Sequence, residues 1–233
     1  ILNQSYRNFE LIVVDDASPD NTFQYIQKLA EKDSRIFPVR LEENGGTYVA
    51  KNQGILRAKG KYVAFHDSDD WCHCDKLKLQ VERLENSEKI LGVSTSYIRV
   101  DENSNIIYRG KGAIRHACIS LMFRRELVVG KIGFFDSVRV SADSEYEMRI
   151  KAVFGDDVIQ HIPLTLIVAS VRSESLSQGG KFALGWAGIS GVRLEYRQSF
   201  DEYHNMIRSG KENGYLDFPL KERVFKAPEE IIS

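Results

Sequence analysis

The chain has 233 residues, enough for one α/β domain with a sizeable core, or one domain with a small appendage. Its 32 basic and 33 acidic side chains leave a net charge of −1, which argues against a nucleic-acid-binding surface. No apolar run approaches the roughly 20 residues that a membrane span needs, and three cysteines are too few for a disulfide framework and fit a reducing compartment. Cys72-His73-Cys74 carries part of a zinc pattern, but no second cluster of ligands follows, so Cys72, Cys74 and Cys118 read as plain surface thiols.

Ile1 opens in mid-pattern: residues 1–5 read as the end of a helix with no beginning, and the chain as a fragment. Residues 10–14 form a β-branched apolar run, expected to be a buried parallel strand that ends in the loop Asp15-Asp16-Ala17-Ser18-Pro19-Asp20. Phe23, Ile26, Leu29 and Ala30 recur at helical spacing, 36–41 reads as a second strand, and Asn44-Gly45-Gly46 breaks it. A helix over 49–58 ends at Gly60, and a third buried strand over 62–65 runs into His66-Asp67-Ser68-Asp69-Asp70. This alternation predicts a mostly parallel, doubly wound α/β sheet. Beyond it, 77–84 reads as a helix with Leu77, Val81 and Leu84 on one face. Strands are expected at 91–100, 106–108, 118–123, 158–162 and 164–171, the first two as a hairpin around Asp101-Glu102-Asn103. Residues 142–154 form a helix, Gly179-Gly180 marks a boundary, and 181–208 reads helical with aromatics at Trp186, Tyr196, Phe200 and Tyr203.

Acidic clusters close the first and third of these strands, at the sheet edge where open α/β folds bind ligands. In an extended segment residues i and i+2 point the same way, so Asp67 and Asp69 are expected to project together and to suit Mg²⁺ or Mn²⁺. The same run can also serve as a turn before a helix starting near Asp75. Asp15-Asp16 reads equally as turn chemistry or as a pair of acceptors for ribose or base. The position of Cys72 lacks the glycine of a calcium EF-hand loop, and Trp71 stands where a haloacid-dehalogenase-like phosphohydrolase would have Thr. His66 is expected to point away from Asp67, and His116, His161 and His204 to be surface or packing residues.

Four segments together resemble family 2 glycosyltransferases, in that family's order. They are Glu10–Asp20, the run Ala50-Lys51-Asn52-Gln53-Gly54, the stretch Phe65–Trp71, and Ser141-Ala142-Asp143-Ser144-Glu145 leading to Arg149. The resemblance implies a GT-A fold: a mostly parallel sheet flanked by helices with a Rossmann-like nucleotide-binding half. The catalytic domain would be 1–178, lacking its first strand, with 179–233 a helical extension and tail. It implies inverting transfer from a nucleoside-diphosphate sugar to a glycan or other acceptor hydroxyl. By position, Asp143 is the expected base, Asp16 with Asp15 faces the nucleoside, Lys51 lies near the base or diphosphate, Asp67 faces the ribose and metal, and Asp69 holds the metal. Many members carry a His where this chain has Arg172 in Ser170-Val171-Arg172-Ser173-Glu174-Ser175-Leu176-Ser177; Arg172 is expected to bind phosphate instead. The expected setting is polysaccharide or surface-glycan synthesis in the cytoplasm, including the inner membrane face, with no nucleic-acid partner. Two other readings stay open: a phosphohydrolase built on Asp67 and Asp69, and a non-catalytic sugar- or nucleotide-binding domain.

Overall fold

The computed structural model describes residues 1–108, 110, 112–172, 182 and 189–233. Strand β1 (Leu11–Asp15) pairs in parallel with β2 (Ile36–Arg40), from Leu11 opposite Ile36 to Asp15 opposite Arg40. Helix α1 (Thr22–Ala30) makes the crossover between them, and α2 (Thr47–Arg57) follows. A second sheet has five strands in the order β3-β6-β5-β7-β4. These are β3 (Tyr62–Ala64), β4 (Trp71–Cys72), β5 (Gly92–Val100), β6 (Arg115–Arg124) and β7 (Ile159–Ser170). Helix α3 (Lys76–Glu85) connects β4 to β5, α4 (Arg125–Ile132) and α5 (Ala142–Phe154) separate β6 from β7, and α6 (Val192–Arg208) comes last.

The α/β class with flanking helices stands, but strand direction is more mixed than a doubly wound sheet. Among the described residues, the strand pairs β1–β2 and β5–β7 are parallel, and β3–β6, β5–β6 and β4–β7 are antiparallel. An apolar run reports burial and leaves direction open, and β3 is buried against β6, a strand that follows it by some 50 residues. The strands expected at 158–162 and 164–171 are one strand. Pro163 sits inside it, and the ladder to β5 slips there, from Thr95 opposite Ile162 to Ser96 opposite Thr165. Proline brings no N–H to a ladder, so the chain passes it as a bulge. The second arm of the expected hairpin shrinks to a single bridge between Val100 and Ile106.

On α3 the buried residues are Lys76, Gln80 and Leu84, with Leu77 and Val81 packed at the margin. The Gln80 amide nitrogen is held there, donating to Val93 O at 2.9 Å and Ser120 O at 2.7 Å, while its Oε1 has no partner among the described residues. The main core is aromatic. Phe135 and Tyr146 lie 4.2 Å apart, and Phe123, Tyr196, Phe200 and Tyr203 join the same cluster. Helix α6 thus covers the core with its aromatics, while Gly179-Gly180, Trp186 and the expected helix start at Lys181 fall outside the described residues.

Candidate active site

Asp16 follows β1, and its carboxylate accepts the backbone N–H groups of Gly45 at 2.8 Å and Gly46 at 2.7 Å. Gly46 has φ +83°, a conformation that favours glycine, and it is the N-cap of α2. Asp16 therefore fixes the loop that aims α2 at the sheet edge. Asp15, 4% exposed, accepts from Ser18 N and lies 3.7 Å from the Arg40 guanidinium. Asn52 locks the same helix from its buried face, exchanging two 2.9 Å bonds with the backbone of Phe135.

One face of α2 then presents Tyr48 and Lys51, three residues apart. The Tyr48 hydroxyl donates to Asp143 Oδ1 at 2.9 Å, and Lys51 Nζ stands 2.9 Å from Asp67 Oδ1. Burial pushes the Tyr48 hydroxyl far above its ordinary pKa, with Asp143 and Asp67 adding to the effect, so it remains a donor. Burial alone would raise Asp67; the Lys51 ammonium outweighs it and holds the carboxyl below its usual range. The Lys51 ammonium also lies over the rings of Tyr48 and Phe65, 5.4 and 5.8 Å from their centroids.

The segment after β3 is a turn. Asp70 N donates to Asp67 O at 3.1 Å, so the extended geometry expected for Asp67 and Asp69 does not hold. Ser68 and exposed Asp69 form the corner, and Asp67 folds back onto Lys51. Half-buried Asp70 accepts from Ser170 N at 3.1 Å; burial, then Asp67 and Asp69, push its carboxyl up to about 7. His66 bonds the Asp70 carbonyl at 3.0 Å. Three carboxylates share one turn, with the Lys51 ammonium on Asp67 and the Arg99 charge acting on Asp70, and they offer hard oxygen donors. Those residues fit a divalent cation of the Mg²⁺ or Mn²⁺ kind.

Helix α5 brings the other carboxylate. Asp143 lies in its first turn, as expected, where the helix dipole favours an anion. Ser141 occupies the N-cap position but makes no capping bond: its backbone is left-handed, φ +68°, and its hydroxyl accepts from Arg193 at 2.9 Å. Ala17, beside Asp16, has the same strained conformation, φ +58°. Glu145 faces inward, bound by Arg149 at 2.8 Å and His204 at 3.1 Å with no exposed side chain. His204, expected at the surface or in packing, is thus packed: fully buried against a carboxylate. Cys72 is likewise buried, correcting its expected exposure. Arg172 is exposed, two residues past β7, and the rest of its motif, 173–177, lies outside the described residues.

Lys51 and Tyr48 thus tie the turn at Asp67 to the start of α5. Sequence reasoning missed Tyr48, Arg193 and the capture of Asp16 by Gly45 and Gly46. The i, i+3 spacing of Tyr48 and Lys51 was the available signal. Among the described residues, no helix is long and apolar enough to cross a membrane.

TuaG of Bacillus subtilis (strain 168), named for teichuronic acid biosynthesis, is 49% identical over 82 residues, 35% of this chain and 32% of TuaG. WfaP of Escherichia coli, a UDP-Glc:α-D-GlcNAc-diphosphoundecaprenol β-1,3-glucosyltransferase, is 38% identical over 100 residues, 43% of this chain and 39% of WfaP. The matched stretch spans well under half the length of these relatives. The mannosyltransferase PcManGT of Pyrobaculum calidifontis, solved with GDP-Man and Mn²⁺, superposes over 74% of this chain and 51% of its own, with a TM-score of 0.58 and 22% identity. That likeness gives the GT-A fold. Residues 1–144 match the model of glycosyl transferase family 2, and the chain belongs to that family.

Proposed function

We propose that this chain carries out inverting, metal-dependent transfer of a sugar from a nucleoside diphosphate to an acceptor hydroxyl, in polysaccharide or surface-glycan synthesis at the cytoplasmic side of the membrane. The observation that carries this reading is the pair of contacts from one face of α2: Tyr48 to Asp143 and Lys51 to Asp67. They gather a carboxylate suited to accept a proton and a set suited to a charged diphosphate on one edge of the sheet.

Asp143 takes the proton of the acceptor hydroxyl as that oxygen attacks the anomeric carbon from the side opposite the departing diphosphate. The Tyr48 hydroxyl binds Oδ1, and among the described residues no hydrogen-bond donor is on Oδ2. Asp16, with Asp15 behind it, offers acceptor oxygens to the nucleoside, Lys51 and Arg172 face phosphate, and Asp67 faces the ribose. Asp69, with Asp67, would hold Mg²⁺ or Mn²⁺, which when bound offsets the charge of the leaving diphosphate. The named donors of relatives, UDP-Glc for WfaP and GDP-Man for PcManGT, support a nucleotide-sugar donor.

Calorimetry on the intact protein with UDP- and GDP-sugars, with Mn²⁺ or with chelator, tests the reading. Binding should tighten tenfold or more with Mn²⁺, and Asp69→Asn should remove that gain. Turnover with inversion at the anomeric carbon, read by NMR, separates an enzyme from a binding domain. Affinity indifferent to the cation and to Asp69 would contradict the reading.

A further inference from the structure

Behind the site, the sheet carries a polar patch where packing against a helix calls for apolar side chains. Pairing register assembles it. Ser96 on β5 is opposite His116 on β6, and Ser94 is opposite His161 on β7. Helix α5 lays Glu147 over this patch, one turn beyond Asp143. The ligand atoms of His116, Cys118 and Glu147 all lie within 4.8 Å of one another. His116 Nε2 is 2.8 Å from Glu147 Oε2, and the His161 ring stands 3.3 Å away, Nδ1 to Nδ1. Glu147 is 3% exposed.

We propose that His116, Cys118 and Glu147 form a second cation site, for Zn²⁺ or a chemically similar transition ion, distinct from the oxygen-rich turn at Asp67–Asp70. Imidazole nitrogen, thiolate sulfur and one carboxylate are the ligand set that zinc takes, and hard Mg²⁺ does not. Tetrahedral zinc places its ligand atoms about 3.3–3.8 Å apart, so the cluster needs side-chain shifts of about 1 Å or less. The three residues come from two elements and are scattered over 32 positions of sequence, so their proximity is a product of the fold. By contrast, His73, Cys74 and Asp75, which also lie close together, are consecutive, and chain connectivity alone accounts for their nearness. The surroundings already orient the site. His161 is held by Ser94 at 3.2 Å and Ser96 at 3.1 Å, and Lys151 holds the second oxygen of Glu147 at 2.9 Å. Burial, with the Asp143 and Glu147 charges, pushes the Cys118 thiol up; the same charges favour a cation, whose binding would release the thiol proton to solvent. A bound ion would join β6 to α5 directly after the residue proposed as the base.

Co²⁺ titration of the intact protein, followed by absorption, is the test. One equivalent should produce a thiolate-to-cobalt charge-transfer band, displaced by Zn²⁺. Cys118→Ser should abolish the band, and His116→Gln should weaken Zn²⁺ affinity tenfold or more, whereas Asp69→Asn and Cys74→Ser should leave both unchanged. Should Cys118→Ser fold poorly, His116→Gln and Cys74→Ser still decide the outcome. No charge-transfer band in the parent, or a band lost in Cys74→Ser and kept in Cys118→Ser, would overturn the proposal.

Discussion

Asp143 and Glu145 stand two residues apart on α5, and the molecule uses them in opposite ways. Glu145 turns into the core, where its oxygens are taken by Arg149 and His204 and no side-chain surface remains. Arg149 in turn donates to the carbonyls of Ile132, Phe134 and Gly214, tying α4, the 133–135 segment and the 214 loop together. Asp143 turns to the sheet edge, half-buried, with one oxygen on Tyr48. An anion whose bonding capacity is exhausted by its own chain holds structure. One with capacity left over at an open edge can do chemistry. A milder form of the contrast separates the other two acidic segments: each Asp16 oxygen accepts one glycine N–H and keeps acceptor capacity over, while Asp69 stays exposed.

The largest effect expected from breaking this contrast is on the inward side. Arg149→Met leaves Glu145 buried with only His204 beside it. Removing one partner of a buried pair costs about 3–5 kcal/mol, and denaturant unfolding should show a loss of that order. A loss below about 1 kcal/mol would mean that the pair is not what holds these segments.

A smaller effect is expected at the edge. Tyr48→Phe deletes the hydroxyl that positions Asp143. A hydrogen bond to a charged group contributes roughly 1.5–3 kcal/mol, and water can replace part of it at a half-open site. Transfer should fall about tenfold with donor affinity nearly unchanged. An equal drop in donor affinity would place Tyr48 in binding instead.

The smallest expected effect is a pH dependence. Asp70 titrates near 7 in the fold against an ordinary 3.8, so its protonated form is favoured by folding. Its contribution is full below about pH 4 and is lost as pH rises through about 7. His66, lowered by burial, works in the opposite sense, so the slopes of two proteins should be compared. In chelator, the melting midpoint of the parent should fall from about pH 5 to about pH 8 relative to Asp70→Asn, which cannot ionise. Parallel profiles would remove Asp70 as the source.

Much of this was legible in the sequence. Period and composition placed β1, β2, α2, β3 and α5 within a residue or two, because each is a clean apolar run or helical repeat with glycine or aspartate at its ends. Strand direction was not legible, since burial of a strand does not depend on which way its neighbour runs. The turn at Asp67–Asp70 was misjudged as extended because carboxylates suit either conformation, and only the Asp70 N–H bond to Asp67 O distinguishes them. Tyr48 carries no signal of its own beyond its spacing to Lys51: its ring packs 5.6 Å from Phe135 while its hydroxyl reaches Asp143. A side chain with one apolar and one polar task shows only the first in a hydrophobic pattern.

The division of labour between Asp143 and Glu145 is tested most directly by Asp143→Asn, which keeps shape and removes basicity. Transfer rate and nucleotide affinity should be measured on the same intact protein. The account predicts transfer reduced by about 10²–10⁴, the usual range for a lost general base, with nucleotide affinity within a few-fold of the parent and folding stability within about 1 kcal/mol. Transfer within a few-fold of the parent, or affinity falling in step with the rate, would contradict it.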